Sequence, residues 1–328
     1  MSRQKSISRR DTFALAAGAA ALPLAGAALT AGPARAQAPM QGAARPSHYR
    51  VGLGQFEVTT IFDGAVQLDG PHPIFGENQT AEAVQALARE NFLPETRQEI
   101  GFTPVVVNTG SALVVFDTGN GARRRPNAGK LAAALGNAGY SPDQVDVVVL
   151  THFHPDHIGG LMEDGQPLFA NARYVAPSTE YDFWTHPDRM SGPTEGVATL
   201  TAANVKPLAE KMTFIGNEGE VVPGIRGISA FGHTPGHTAF HIESDGRRLL
   251  LGGDFCNHYV VSMQVPDWHV RFDMDKEGAV ASRKSLLDLL ATDRIPFTSY
   301  HMPFPAVGYV ERKGQGYRYV PASYQLHL

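Results

Sequence analysis

The sequence predicts an α+β protein in which two β-sheets pack face to face, with helices on their outer sides. Strand-like segments followed by helix-like segments occur in both halves of the chain. Several short apolar runs end in polar residues of the kind that bind metals. No linker-like stretch lies between residues 120 and 300. We therefore expect a single domain over residues 48–328.

The first half of this domain contains clear strand and helix patterns. Residues 49–64 are rich in β-branched and aromatic side chains and predict two strands, whereas residues 80–91 predict a helix. The stretch "TPVVVNTGSALVVFDTG" predicts two strands joined by an Asn-Thr-Gly-Ser turn, and "AGKLAAALGNAGY" predicts a helix. The apolar run "VDVVVL" at 145–150 is typical of a strand that is buried on both faces.

The second half repeats this arrangement. The stretches "GIRGISAFG", "TAFHIES", "RRLLLGGD" and "IPFTSYH" predict strands, and residues 276–293 predict an amphipathic helix. The polar segment 182–204, which contains Pro187 and Pro193, predicts a flexible lid.

The N-terminus has the composition of an export signal. Residues 1–36 combine basic residues, an Ala/Gly/Leu stretch and a small-residue cleavage site at Ala34-Arg35-Ala36. The pair Arg9-Arg10 resembles a bacterial twin-arginine signal. Glycine and proline interrupt the apolar stretch, which favours a cleaved signal over a membrane anchor. We expect a periplasmic or secreted protein with no stable membrane span, and residues 37–47 as a flexible mature N-terminus.

Composition and charge exclude some functions. The chain is 43% hydrophobic and 18% charged, as is usual for a globular protein. Residues 1–36 hold five basic residues and one acidic residue, so the rest of the chain carries a net charge of −8. This acidic balance, without a long basic run, argues against a nucleic-acid partner. The single cysteine, Cys256, cannot form an internal disulfide.

A dense run of metal-binding side chains follows the predicted buried strand at 145–150. In "THFHPDHIGG", residues 151–160, alternation along an extended turn points His152 and His154 the same way. Pro155 stiffens the bend, so that Asp156 and His157 face a second point a short distance away. Histidine and carboxylate ligands suit zinc or a neighbouring divalent ion. Four ligands divided two and two indicate two metal ions.

Three further strand ends supply more ligands. The stretch "FGHTPGHTAF" contains His233 and His237, "LLLGGDF" ends on Asp254, and "TSYHMPFP" contains His301. Glycines before Asp254 allow a close backbone approach. Each residue alone is a weak signal, but together they complete a ligand set.

The order H-x-H-x-D-H, G-H-T-P-G-H, G-G-D and a late histidine resembles the metallo-β-lactamase superfamily, whose fold is a four-layer αββα sandwich. The resemblance extends from about residue 49 to the C-terminus. It implies that the first metal is bound by His152, His154 and His237, and the second by Asp156, His157 and His301. It also implies that Asp254 bridges both ions, that His233 is structural, and that Asp117 in "VVFDTG" supports the site from behind.

Within the superfamily, the chain is similar to the methyl parathion hydrolase group of exported bacterial phosphotriesterases, aryl esterases and lactonases. "THFHPDHIGGLM", "YDFW", "GHTPGHT" and "GQGYRYVP" carry this likeness. It implies that Trp184 and the neighbouring Phe183 line the substrate pocket and that the protein forms a homodimer. The arginine run 123–125 replaces an aromatic residue of the phosphotriesterases. This difference argues against specialisation for phosphotriesters and favours an ester or a lactone substrate.

These features predict a hydrolase that cleaves a small-molecule ester, such as an aryl ester, a lactone or a phosphotriester like methyl parathion. We expect two Zn²⁺ ions, or other divalent transition metals, to share a hydroxide that attacks the substrate, with Asp156 or Asp254 transferring a proton. An acyl-homoserine lactonase is one alternative. A mononuclear iron dioxygenase-type redox protein and an inactive metal-binding module are others.

Overall fold

The computed structural model describes residues 38–216 and 218–328. The predicted signal at 1–36, with Arg9-Arg10 and the cleavage site, lies outside the described residues. Residues 45–328 form one compact unit, and the described residues 38–44, which belong to a separate unit, contain no helix or strand. None of the described helices has the length and apolar character needed to cross a membrane.

The compact unit alternates strands and helices along its length. Its strands are β1 (His48–Leu53), β2 (Phe56–Ile61), β3 (Gly64–Asp69), β4 (Arg97–Phe102), β5 (Val105–Asn108), β6 (Leu113–Phe116), β7 (Val147–Val149), β8 (Met162–Glu163), β9 (Gln166–Pro167), β10 (Arg173–Pro177), β11 (Met212–Ile215), β12 (Glu220–Val222), β13 (Ile225–Ser229), β14 (Thr238–Ser244), β15 (Arg247–Leu251), β16 (Phe297–Thr298), β17 (Val307–Lys313) and β18 (Gly316–Pro321). Its α-helices are α1 (Ala81–Glu90), α2 (Leu131–Asn137), α3 (Pro155–Ile158), α4 (Ser178–Thr185), α5 (Glu195–Asn204), α6 (Val261–Gln264) and α7 (Lys276–Asp293).

Two seven-stranded sheets form the centre of this unit. The first has the order β1-β2-β5-β6-β7-β10-β11, and its last four strands are parallel. The second has the order β12-β13-β14-β15-β16-β17-β18 and is antiparallel except between β15 and β16. Strands β3 and β4 form a separate two-stranded antiparallel sheet, in which Val66 pairs with Ile100.

Alternating side chains produce the layers. In the first sheet, Val114 and Val149 face the second sheet, whereas Val115 and Val148 pack against the outer helices. The Phe116 ring of the first sheet meets the Phe240 ring of the second at a centroid distance of 5.1 Å. Outside the second sheet, its strands pack on α7 through residues that include Leu250, Leu287 and Phe297. The predicted four-layer αββα sandwich is therefore confirmed.

Most predicted elements agree with the structure. Helix α7 covers the predicted range 276–293, and its N-cap Asp275 accepts a hydrogen bond from the Gly278 backbone. The segment 182–204 differs, because it folds largely into the end of α4 and the whole of α5 instead of an irregular lid. Leu200 and Ala198 of α5 are buried in the core outside the first sheet. Of the two-stranded β3–β4 sheet, only the start of β3 was predicted.

Candidate metal centre

The ends of strands from both sheets meet at one edge of the sandwich. Asp117 follows β6, the 152–157 run follows β7, Asp254 follows β15 and His301 follows β16. Within each sheet these strands include parallel neighbours, whose C-terminal ends necessarily lie side by side. Loops far apart in the sequence therefore bring their polar side chains to one place, where most of them are buried.

The donor atoms form two groups. The atoms of each group lie within 4.8 Å of one another, and the members are His152, His154, His233 and Asp254 in the first group, and Asp156, His157 and His301 in the second. Asp254 connects the two. Its Oδ2 lies 3.3 Å from His233 Nε2 and 3.2 Å from His301 Nε2, and its Oδ1 lies 3.4 Å from His157 Nε2. The structure thus brings together six of the seven predicted ligands, and Asp254 lies between the two groups.

Three donor atoms in these groups are buried without a hydrogen-bond partner among the described residues. They are His152 Nε2, His157 Nε2 and Asp254 Oδ1. Such atoms are rare in proteins unless they face an ion or water. Burial, and then the neighbouring imidazoles, hold the pKa of His152 well below its usual value, so its ring is neutral and offers a lone pair. The residues present therefore fit two zinc ions.

The structure assigns the roles of His233 and His237 the other way round from the prediction. His237 Nδ1 donates to the Ala230 carbonyl at 2.9 Å, and its Nε2 accepts from the Asp254 backbone N–H at 2.8 Å. Both ring nitrogens are thus occupied by backbone groups, and burial lowers the pKa of His237 to about 3. Gly253 is needed beside it, because a Cβ there would lie 2.7 Å from His237 Nε2. The predicted ligand His237 therefore shapes the turn, and the predicted structural residue His233 faces the donors.

Carboxylates behind the donors orient two of the histidines. Asp117 accepts from His157 Nδ1 at 2.8 Å and from the Thr151 backbone and hydroxyl, which places Asp117 where the sequence predicts it. Asp273 accepts from His233 Nδ1 at 2.8 Å, and Arg283 donates to its second oxygen at 2.7 Å. Burial lowers the pKa of His233, but Asp254 and Asp273 outweigh it and raise the pKa to about 9. Sequence reasoning missed Asp273 and Arg283, for which no local motif exists.

A third missed residue, Glu180, joins two ligand loops. This buried carboxylate accepts from the Phe153 backbone between His152 and His154, and from Trp184 Nε1 at 2.7 Å. It also accepts from the Thr234 hydroxyl and the Gly236 backbone in the loop that carries His233. Four donors compensate the cost of burying the charge. Glu180 therefore fixes the 152–157 loop against the loop that carries His233.

The predicted pocket residues Trp184 and Phe183 do not line the cavity beside the donors. Trp184 is only 2% exposed and packs in the core outside the first sheet, where Glu180 uses its indole N–H. The Phe183 ring is half-buried, with the Arg189 guanidinium 4.7 Å from its centroid. The reason is the direction of α4, which turns these side chains toward the protein interior. Neither side chain therefore lies where the resemblance to the phosphotriesterases would put it, beside the donors.

Two cavities adjoin the donors. One has a volume of about 340 Å³ and mainly apolar walls from Val66, Leu68, Phe75, Ile100, Phe102, Val197 and Phe272, together with Arg124 and Asn257. The other has a volume of about 280 Å³ and shares Ile100, Asn257 and His301 with the first. The unpredicted two-stranded β3–β4 sheet supplies Val66, Leu68, Ile100 and Phe102, and therefore much of the apolar wall beside the donors.

Comparison with known families agrees with this geometry. Residues 103–298 match the family described as "Metallo-beta-lactamase superfamily". The chain belongs to the metallo-beta-lactamase superfamily. Among curated relatives, an N-acyl homoserine lactonase of Bacillus thuringiensis is 28% identical over 122 residues, which is 37% of this chain and 42% of that protein. An N-acyl homoserine lactonase of Bacillus cereus is 26% identical over the same length. The chain thus spans less than half the length of the curated relatives it matches.

Solved structures of superfamily members match over most of the chain. AidC, a dizinc quorum-quenching lactonase in complex with a product, is 26% identical with a TM-score of 0.77, and the match covers 85% of this chain and 98% of AidC. The hydrolase AbOPH is 23% identical with a TM-score of 0.79, and the match covers 86% of this chain and 99% of AbOPH. Because AbOPH is only 23% identical, its match shows a shared fold alone. The dizinc neighbour agrees with the two groups of donors found here.

Proposed function

We propose that this protein is a dinuclear-metal hydrolase that opens lactones, with N-acyl homoserine lactones as the first substrates to test and aryl esters as further ones. The single observation that carries this proposal is the pair of donor groups joined by Asp254 at an apolar cavity of about 340 Å³. A cavity of this size suits a small apolar substrate with a polar reacting centre. The names of AidC and of the Bacillus relatives support a lactone over the other esters.

Residues that follow strands of both sheets would bind the two ions. When bound, two divalent ions would supply a water of lowered pKa and polarise the scissile carbonyl. His152, His154 and His233 would hold one ion, and Asp156, His157 and His301 the other. Asp254 reaches both groups, and Asn257 Nδ2 donates to its Oδ2 at 3.1 Å. That hydrogen bond would help to hold the carboxylate between the two groups.

Asp156 is the better placed of the two carboxylates to transfer a proton. Its side chain is 16% exposed, whereas that of Asp254 is 4% exposed and is surrounded by imidazoles. A ring-opened lactone leaves an alkoxide, which must gain a proton, whereas an aryl oxide leaves more easily without one. Asp156 also borders the apolar cavity that would hold the substrate. It can therefore exchange protons with both the leaving group and solvent.

Metal analysis combined with substrate turnover tests this proposal. The purified protein should contain two zinc-like ions per chain and open N-hexanoyl homoserine lactone, as followed with a pH indicator, and a chelator should abolish turnover. Parallel assays with a nitrophenyl ester and methyl parathion rank the ester classes. One iron per chain with oxygen consumption, or turnover that survives metal removal, would overturn the proposal.

The variant Asp254→Ala provides a direct test of the bridging position. It should lose metal and activity together, because both donor groups depend on this carboxylate. Asp267→Ala is the matched control, since Asp267 is exposed and pairs with Lys284 on the surface. Full activity in Asp254→Ala would refute a bridging role.

We also propose export and dimer formation, which rest on the sequence of residues 1–36 and on the resemblance described above. Mass spectrometry of protein from the periplasm should find a mature chain that begins at Gln37. Light scattering of that protein should give the mass of a dimer. An uncleaved cytoplasmic chain, or a monomer at all concentrations, would contradict the respective proposal.

A further inference from the structure

The side chains of three consecutive arginines, Arg123 to Arg125, have different surroundings at the edge of the metal centre. Arg125 donates to both oxygens of Glu163 at 2.6 and 2.8 Å, and to the Gly129 carbonyl. Arg123 borders a shallow surface depression beside α5. Only Arg124 lines the 340 Å³ cavity next to the metal donors. Of the three arginines, Arg124 therefore lies beside the cavity that is proposed to hold the substrate.

The loop that carries Arg124 is held firmly. The buried Asp63 carboxylate accepts from the backbone of Asn120 and Gly129, which flank the arginines, and from Leu131 at the start of α2. Such hydrogen bonds to a buried carboxylate are among the stronger ones in proteins. The position of the Arg124 backbone at the cavity is thus determined in advance of any ligand.

The Arg124 guanidinium lies over an aromatic wall of the cavity. Its Cζ is 5.3 Å from the centroid of the Phe102 ring, and that ring meets the His301 ring edge-on at 5.7 Å. Within the described part of the chain, the side chain of Arg124 makes no ion pair or hydrogen bond. The acidic residues that line this cavity, Asp156 and Asp254, belong to the donor groups. The guanidinium is therefore free to bind an anion on the substrate.

We propose that Arg124 determines specificity within the proposed class of lactones and esters: it favours those with a carboxylate on the acyl part, several bonds from the scissile carbonyl, over their neutral counterparts. This inference rests on the proposed function, because it names a feature of the substrate at the same site. A guanidinium binds a carboxylate through two parallel hydrogen bonds, and the solvent-exposed Arg124 presents its guanidinium beside the cavity. Val66, Leu68 and Phe102 would contact the methylene groups between the two ends.

A pair of esters with one acyl chain length tests the proposal. Mono-4-nitrophenyl glutarate carries a terminal carboxylate, and 4-nitrophenyl valerate is its neutral counterpart. Arg124→Gln should lower kcat/KM for the glutarate ester by about tenfold, mainly through KM, and leave the valerate ester nearly unchanged. Raising the salt concentration should reduce the wild-type preference for the anionic ester.

Arg123→Gln is the matched control, because Arg123 sits on the same turn but outside the cavity. It should behave like the wild type with both esters. Equal losses on both esters in Arg124→Gln, no loss on either, or the same selective loss in Arg123→Gln would overturn the role of Arg124.

A binding measurement separates this proposal from the proposed function. If the zinc-loaded protein hydrolyses neither esters nor lactones, the proposed function fails. Calorimetric titration with glutarate still tests Arg124, since the wild type should bind it about tenfold more tightly than Arg124→Gln. Equal affinities in the wild type and Arg124→Gln would refute an anion site at this residue.

Discussion

His237 Nε2 accepts a hydrogen bond from the backbone nitrogen of Asp254 at 2.8 Å. This contact ties the loop that carries His233 and His237 to the turn after β15 and directs the Asp254 carboxylate toward the donor groups. Since His237 Nδ1 is also bonded, to the Ala230 carbonyl, the ring has no lone pair left for an ion. His237 therefore shapes the centre from outside it.

Variants of the two histidines should separate these roles. His233→Ala removes a donor and should lower both zinc content and kcat. His237→Ala should keep two ions but lose about 1–3 kcal/mol of stability, because it leaves the buried Asp254 N–H without a partner. Metal analysis and thermal denaturation of both proteins check this. Loss of zinc in His237→Ala with an unchanged Tm would contradict it.

Asp273 should act through His233. In Asp273→Asn the amide keeps the size of the side chain but withdraws the negative charge that faces His233 Nδ1 and Arg283. We expect zinc affinity to fall by about 10- to 100-fold, as for other carboxylates behind ligand histidines. Competition with a chromophoric chelator measures this affinity. Lys284→Gln, a surface change on α7, is the control, and equal affinities in all three proteins would exclude the role.

Trp184 should affect stability and leave substrate binding unchanged. Trp184→Phe deletes the indole N–H that Glu180 accepts in the core, at an expected cost of about 1–3 kcal/mol. Denaturant unfolding should show the loss, and KM for lactone and ester substrates should stay the same. A raised KM with normal stability would contradict this prediction and indicate that Trp184 contacts the substrate.

His258 should make the protein sensitive to acid. Burial lowers its pKa from 6.5 to about 4, and its Nδ1 accepts from the backbone N–H groups of Val260 and Val261. Because the folded state resists protonation, the contribution of His258 is complete above pH 6.5 and is lost as the pH falls toward 4. In His258→Asn the amide oxygen can accept from the same groups without titrating. We therefore expect the loss in the free energy of unfolding over this pH range to be about 2 kcal/mol smaller than in the wild type. Urea unfolding across this pH range measures it, and parallel curves for both proteins would contradict it.

Local patterns were sufficient to predict most of the fold. Val147–Val149 reads as a buried strand because every residue in it is apolar and β-branched, and α7 begins at its cap Asp275 as the pattern indicates. The two-stranded β3–β4 sheet was not predicted, since Arg97 and Glu99 interrupt the apolar pattern of β4. Its pairing depends on contacts between strands that α1 separates in the sequence.

The sequence by itself determined which loops meet at the centre and which chemistry they bring, because ligand-type side chains follow strands whose ends must lie at one edge. Only the tertiary structure decided between His233 and His237. These residues share one turn, and the direction of each ring is set by distant partners, Asp273 for the first and Asp254 for the second. The same holds for Trp184 and Arg124, whose surroundings come from segments that folding alone brings together.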